Sequence, residues 1–453
     1  MVFLASTSRS WSLLSLRAAV FLSVACAAPS TYGQASATLG NGLSASAIGR
    51  GGEVVAESGS PLDAVLGNPA GLAGIGSPAL EANAVGLVDG GSFQNAANSD
   101  AKIRGLAGAL PYGAFATPIR TSPWVASFGV TPEILMRANW HYNDAPGTLG
   151  VSYGYQTQET QIIAVRSSLG LARRFGTKWA AGATLGIVYN QNDLHAPYIF
   201  QQQPQLAGLK VLLALTTRGY GWNGGAGVQW IPSPHLRTGL AWKSGTTLRT
   251  QGDASGSASA LFTALGVSAD AAFTYHAQVE NHLPQGFDSG LSWLLSKHAT
   301  LHFEGDFTAW GQAFQELPIT VTNGSNAVIN SVVGSNTFKD AVPLHWHNQG
   351  TFRAGLELPL RNSWLLRAGY AHASDPVPSS TLTPLTAAIM QNALAAGAGW
   401  THGRWRCDAA YQAQLPATQS VGLSGLEAGE YSNSRVRVST QSLTVGTRLN
   451  LSR

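Results

Sequence analysis

Residues 301–308 alternate without a break: Leu301, Phe303 and Phe307 take one face of a strand, and His302, Glu304 and Asp306 take the other. Residues 235–243 repeat the scheme, with Leu236, Leu240 and Trp242 opposite His235, Arg237 and Lys243. Residues 179–189 follow it with Trp179, Leu185, Ile187 and Tyr189 in phase. A strand of this kind needs an apolar medium on one side and water on the other. The core of a soluble sandwich supplies that, and so does lipid around a barrel with a wet lumen.

Turn spacing separates the two. Tight turns are expected at Phe175-Gly176-Thr177, Pro232-Ser233-Pro234, Ser296-Lys297, Arg361-Asn362 and His402-Gly403. Between them lie longer stretches, at 190–218, 251–272, 318–348 and 374–392, read as polar or helical loops. Short turns alternating with long loops are the asymmetry of an outer-membrane barrel, and a sandwich has no reason for it. Composition agrees: only 11% of residues are charged, while there are 52 Gly and 13 Trp. That is the usage of many closely approaching strands with aromatics at two interfaces.

The N-terminus carries Arg9 and Arg17, an apolar run from Ala18 to Ala28, and small residues suited to cleavage after Ala28 or Ala35. Residues 1–35 are therefore read as a secretory signal peptide. Cys26 falls inside it, which leaves Cys407 alone and without an internal disulfide partner. Beyond it no run reaches the ~18 apolar residues of a membrane helix. The net charge of +4 is small and evenly spread, so nucleic acid is not expected as a partner.

One stretch fits neither strand nor helix. Residues 49–73, GRGGEVVAESGSPLDAVLGNPAGLA, are poor in apolar area and broken by Gly and Pro. Pro69 restricts Asn68 to extended backbone, and Ala70-Gly71 lets the chain turn closely against a neighbour. The residues alone are compatible with a surface loop or with irregular backbone packed inside something else. Ile48-Gly49-Arg50 followed by Asn68-Pro69-Ala70-Gly71-Leu72-Ala73 resembles the N-terminal hatch of the FadL-type outer-membrane transporters of long-chain fatty acids and other hydrophobic compounds. Where that family carries an acid seven positions before the Asn, this chain has Pro61, and its nearest acid is Asp63.

The resemblance continues through residues 118–130, Gly221-Trp222-Asn223-Gly224-Gly225-Ala226-Gly227, Leu283-Pro284, residues 310–314, and Arg367-Ala368-Gly369-Tyr370 with Asp375-Pro376-Val377-Pro378. It implies an all-β fold, a 14-stranded antiparallel transmembrane β-barrel with a hatch in the lumen. The domains are then a signal peptide over 1–35, a hatch over 36–78 and a barrel over 79–453. It further implies passive uptake at the bacterial outer membrane: capture in an outer groove, binding in an inner pocket, a hatch shift, and lateral release through the barrel wall.

Gly49, Arg50, Asn68, Pro69 and Ala70 are the expected hatch or gate residues, with Asn68 bonding across to a strand near the lateral gap. The leucines of 206–215 have helical spacing at Leu206, Leu209 and Leu213. With Leu212 they are read as an exposed helix offering the first ligand groove. The expected partners are a hydrophobic small molecule, fatty acid or hydrocarbon, and outer-membrane lipid, for a monomeric chain without a cofactor or metal.

No nucleophile elbow, P-loop or HExxH motif is present, so the chain is not read as an enzyme. His345 and His347 flank Trp346 without a third ligand nearby, and are read as polar loop residues. A lipid-modifying barrel and a structural or adhesive barrel are the competing readings.

Overall fold

The computed structural model describes residues 43–104, 108–120 and 122–451; the signal-peptide reading lies outside them. From Ala79 onward the chain runs as nineteen strand segments in one antiparallel sheet that closes on itself. Several segments are collinear pieces of one strand, and the wall has fourteen.

These are β1 Ala79–Asn95, β2 98–102 with 108–118, β3 Trp124–Asn143, β4 Tyr155–Phe175, β5 Trp179–Ile199, β6 Lys210–Ser233 and β7 236–257. They continue as β8 272–296, β9 299–322, β10 338–359, β11 Trp364–Ala373, β12 Asn392–His402, β13 Trp405–Val421 and β14 Ser434–Asn450. Closure is made by β1 on β14, in register from Ala79↔Asn450 to Gln94↔Arg435. Joining the first strand to the last removes the sheet's two outer edges, which favours closure because lipid cannot bond a free N–H or C=O.

Alternation decides which face meets lipid. Leu240, Trp242 and Phe307 point outward and are exposed, while His302 and Glu304 are buried inside. The same holds for Trp179, Leu185 and Ile187, all exposed. Outward aromatics gather near the short turns, where Trp179 stacks on Trp230 at 5.8 Å and Trp364 lies 6.4 Å from Trp400. They form the belt expected at one membrane interface. Cys407 is also exposed and free.

Four neighbouring strands break at one level. The breaks fall at 244–245 in β7, 284–285 in β8, 309–315 in β9 and 344–348 in β10. Register aligns them, since Gly286 pairs with both Lys243 and Thr308, and Thr308 with Gln349. Below the breaks β8, β9 and β10 run 11, 10 and 11 residues, the length that spans a bilayer. Above them the sheet continues as a wall beyond the membrane. The loop 374–391 between β11 and β12 turns into the lumen, where Val377, Leu382, Ile389 and Met390 pack with Trp140, Trp310, Phe314 and Trp346.

The helix expected over 206–215 does not form. Leu206 and Leu209 lie in a turn, and β6 begins at Lys210 in pairing with β5. Val211, Leu213 and Leu215 then bury at every second position, and Leu206 is also buried. The period-two pattern wins because β5 offers a ladder partner for every residue from Lys210 onward. It also wins because the Lys210 ammonium has buried partners, described below. The loop reading of 190–218 is likewise shortened from both ends, by β5 to Ile199 and by β6 from Lys210. Short helices do occur in other long connections, at Ser259–Leu265 and Ala327–Val333.

Candidate functional site

Residues 43–78 sit within the barrel. Two short helices, α1 Ala45–Gly49 and α2 Pro61–Leu66, are capped by Ser44 and Ser60. A 3-10 segment, Pro69–Gly74, follows Asn68. Asn68 is extended, with φ −110° and ψ 106°, as a residue before proline must be. Its Oδ1 accepts the Ala70 N–H at 3.0 Å, and its Nδ2 donates to Val55 O at 2.8 Å and to Val228 O of β6 at 3.0 Å. The sixth strand is therefore its wall partner.

Arg50 anchors the other end. Its side chain is 2% exposed and faces Glu53 at 3.7 Å, Glu357 of β10 at 3.8 Å and Asp63 at 4.0 Å. Burial alone would favour a neutral guanidine, but Glu57, Glu53, Glu357 and Asp63 together outweigh it and hold the group charged. Burial also pushes the Glu57 carboxyl up, and Arg50 and His302 more than reverse this, holding it at about 2. Asp63 moves the other way: burial raises it in spite of Arg50. Asp63 accepts the Ser44 N–H at 3.3 Å. An acid two residues beyond the family's usual position thus still serves the hatch.

The wall is shaped to receive this backbone. A Cβ at Gly227 would overlap the Asn68 amide, and one at Gly369 would overlap the backbone of Arg50 and Gly51. Glu304 of β9 accepts two hatch N–H groups, Val54 at 2.9 Å and Val55 at 2.7 Å. Gln229 donates to Val55 O and Glu57 O. Arg353 donates to Asp306 at 2.7 Å and to Gly51 O at 3.3 Å. Glu53, Glu57 and His302 bring ligand-type atoms within 4.8 Å of one another. Arg50 faces both acids and His302 Nδ1 lies 3.2 Å from Glu53, so they serve as partners in this ion network.

The wall has a gap between β2 and β3. They pair only from Gly113↔Val130 to Pro118↔Val125, and meet again higher up at Ile103↔Trp140. Among the described residues, 131–138 of β3 have no ladder partner on that side. Pro132 lacks an N–H, and the register with β4 shifts between Pro132 and Ile134, which marks a bulge. The gap is greasy: Leu135 and Leu87 are buried together against Val85, Leu110 and Ile163. Hatch residues Leu62 and Val65 pack against Tyr112 and Ala114. It is α2, and not Asn68, that adjoins the gap.

Beyond the membrane an apolar cluster joins Leu206, Val211, Leu213 and Leu215 to Tyr198, Phe273, Tyr275 and Phe338, with Leu209 packed against it. Leu212 alternates out of this set. The turn is tied down by polar contacts that have no local sequence signal. Asp340 accepts the Tyr198 hydroxyl at 2.6 Å and the N–H groups of Gln201, Gln202 and Gln203. Lys210, fully buried, reaches Asp144 at 2.7 Å and Glu430 at 2.8 Å. Burial and the Asp144 charge push Glu430 up to about 7 against the pull of Lys210. His345 and His347 are exposed, with Trp346 turned inward.

These features match known proteins. The family model described as outer membrane protein transport protein (OMPP1/FadL/TodX) covers residues 25–452. A Pseudomonas aeruginosa FadL homologue is similar in structure at 15% identity, with a TM-score of 0.72 over 92% of this chain and 100% of that one. The Pseudomonas putida toluene transporter TodX is similar at 16% identity, with a TM-score of 0.72 over 92% and 100%. The Ralstonia pickettii toluene transporter TbuX is similar at 16%, with a TM-score of 0.69 over 90% and 98%. No curated protein sequence matches. On the family match the chain belongs to the OMPP1/FadL/TodX family, outer-membrane β-barrel transporters of hydrophobic compounds.

Proposed function

We propose that this chain is a passive, monomeric channel for long-chain hydrophobic compounds that delivers its ligand sideways into the outer membrane. The observation that carries the reading is the gap between β2 and β3. It opens an apolar window in a wall that is otherwise closed, and the hatch helix α2 lies against it.

Each methylene of such a ligand gains about 0.8 kcal/mol on leaving water, so the lumen needs apolar surface and no energy source. The ligand is first held at the mouth by the cluster that includes Leu206, Leu209 and Leu213, with Leu212 at its margin. It then passes to the space above the hatch beneath Trp310 and Trp346. A shift of the segment that carries Gly49, Arg50, Asn68, Pro69 and Ala70 connects that space to the window. No residue in this path is asked to break a bond, and the chain is read as a transporter and not an enzyme.

The test closes the window reversibly. In a Cys407→Ser background, Leu110→Cys and Leu135→Cys are bridged with a short cleavable thiol crosslinker. Uptake of a radiolabelled long-chain ligand by outer-membrane vesicles is expected to fall on bridging and to return on cleavage. Uptake unchanged by the bridge rejects lateral release.

A further inference from the structure

The space between the hatch and the strand breaks is a cavity of about 200 Å³. Its upper lining is apolar, with Trp310, Leu283, Pro284 and Ile134; its lower lining is charged. Four carboxylates, Glu133, Asp288, Glu304 and Asp306, share that lining with two cations, Lys243 and Arg353. Both cations are already engaged. Lys243 pairs with Glu133, and Arg353 pairs with Asp306 and lies 3.6 Å from Glu304.

Asp288 and Asp306 stand directly opposite each other on β8 and β9. Like charges in that position destabilise a sheet. Asp306 gives one oxygen to Arg353, and its buried Oδ1 has no hydrogen-bond partner. The Asp288 carboxylate makes no hydrogen bond, and no ion pair within 4 Å, with a described residue. Above them the Trp310 ring is 1% exposed and its Nε1–H is also without a partner.

From this arrangement, and resting on the transport reading above, we infer that the inner pocket selects apolar molecules with a cationic head group of the alkylammonium class and disfavours carboxylates. An ammonium donates up to three hydrogen bonds and accepts none, which suits free oxygens on Asp288 and Asp306. The indole of Trp310 adds an aromatic surface to the same cavity, the kind of surface that attracts a cation. A fatty-acid carboxylate entering here meets four carboxyl groups and, among the described lining residues, two cations that are already paired. The cavity is smaller than the 300–1,000 Å³ of typical ligand pockets, so it holds the head and first carbons, while the tail extends under Trp346 and the inserted loop.

The experiment compares octylamine, octanol and octanoate, three soluble ligands of one chain length, binding to the full-length barrel in maltoside micelles at neutral pH by calorimetry. Octylamine is expected to bind about tenfold tighter than octanoate, with octanol between them. Asp288→Asn, which keeps the side-chain shape, is expected to cut that preference by about fivefold and to leave octanol within about twofold. Heat-modifiable gel migration verifies that the variant barrel is folded. Octanoate binding as tightly as octylamine, or a preference unchanged in a folded Asp288→Asn barrel, overturns the head-group inference and leaves the transport reading standing. Binding of none of the three overturns both.

Discussion

At Arg50 the hatch meets the wall through buried charge; at Asn68 it meets it through a neutral hydrogen bond to the Val228 carbonyl. The first contact reaches β10, the second β6. A buried guanidinium cannot leave its carboxylates without stranding them, whereas an amide released from a carbonyl finds water and loses little. In the proposed hatch shift the Arg50 end is then the hinge, and the Asn68 end is the one that lets go first. This assigns different jobs to two motifs of one short segment.

The largest effect is expected of Arg50→Met. It keeps apolar bulk but leaves Glu53 and Asp63 buried without this cation, while Glu357 keeps Arg367 at 2.8 Å. The expected cost is about 3–5 kcal/mol in local hatch docking. Hydrogen exchange across residues 43–78 is expected to accelerate throughout, and planar-bilayer recordings should show a leaky pore. Protection retained at α1 in this variant removes the hinge assignment.

Gly227→Val comes next. Its side chain would occupy the position of the Asn68 amide, an overpacking that costs about 1–3 kcal/mol. Exchange should rise from Asn68 to Gly74 while α1 stays protected. Asn68→Ala acts at the same contact by subtraction, leaving the Val228 carbonyl without this donor for about 1–3 kcal/mol. Transport should fall or become leaky with the barrel intact. If it proceeds at the parent rate, the Asn68 end is a turn and not a gate.

Much of this was legible in the residues and some of it was not. The alternation at 301–308 by itself puts His302, Glu304 and Asp306 on the water-facing side of the strand, because strand periodicity is local. Asn68 before Pro69 fixed an extended backbone for the same reason. The strand that Asn68 bonds to was beyond reach, since Val228 lies 160 residues away. The leucines of 206–215 misled because four apolar residues fit a helical stripe and a buried strand equally well. The choice was made by β5, and by Asp144 and Glu430, whose approach to Lys210 depends on the closed barrel. Two of the strand breaks fall at Leu283-Pro284 and at residues 310–314, but neither stretch by itself marks a common level, which depends on register across four strands.

The smallest effect at neutral pH, and the most selective, is the response of the two ends to acid. Glu57 is held at about 2, below the 4.5 usual for a glutamate, since Arg50 and His302 more than offset its burial. A carboxyl depressed in the folded state stabilises it fully above its ordinary value, and that contribution fades as pH falls from 4.5 toward 2. Asp63 is raised by burial and works in the opposite sense, gaining its proton first and so relieving part of its own cost. The Asn68 contact uses amides and carbonyls that do not titrate, so it has no such window. Exchange measured on one sample between pH 6 and pH 3, each peptide corrected for its intrinsic rate, should therefore show loss of protection around α1 and Arg50 ahead of residues 68–74. In Arg50→Met the difference between the ends should shrink, because the strongest of the cations that depress Glu57 is gone. Equal loss at both ends in the parent protein, or earlier loss at Asn68, contradicts an electrostatic hinge and returns the hatch to a plug held uniformly by packing.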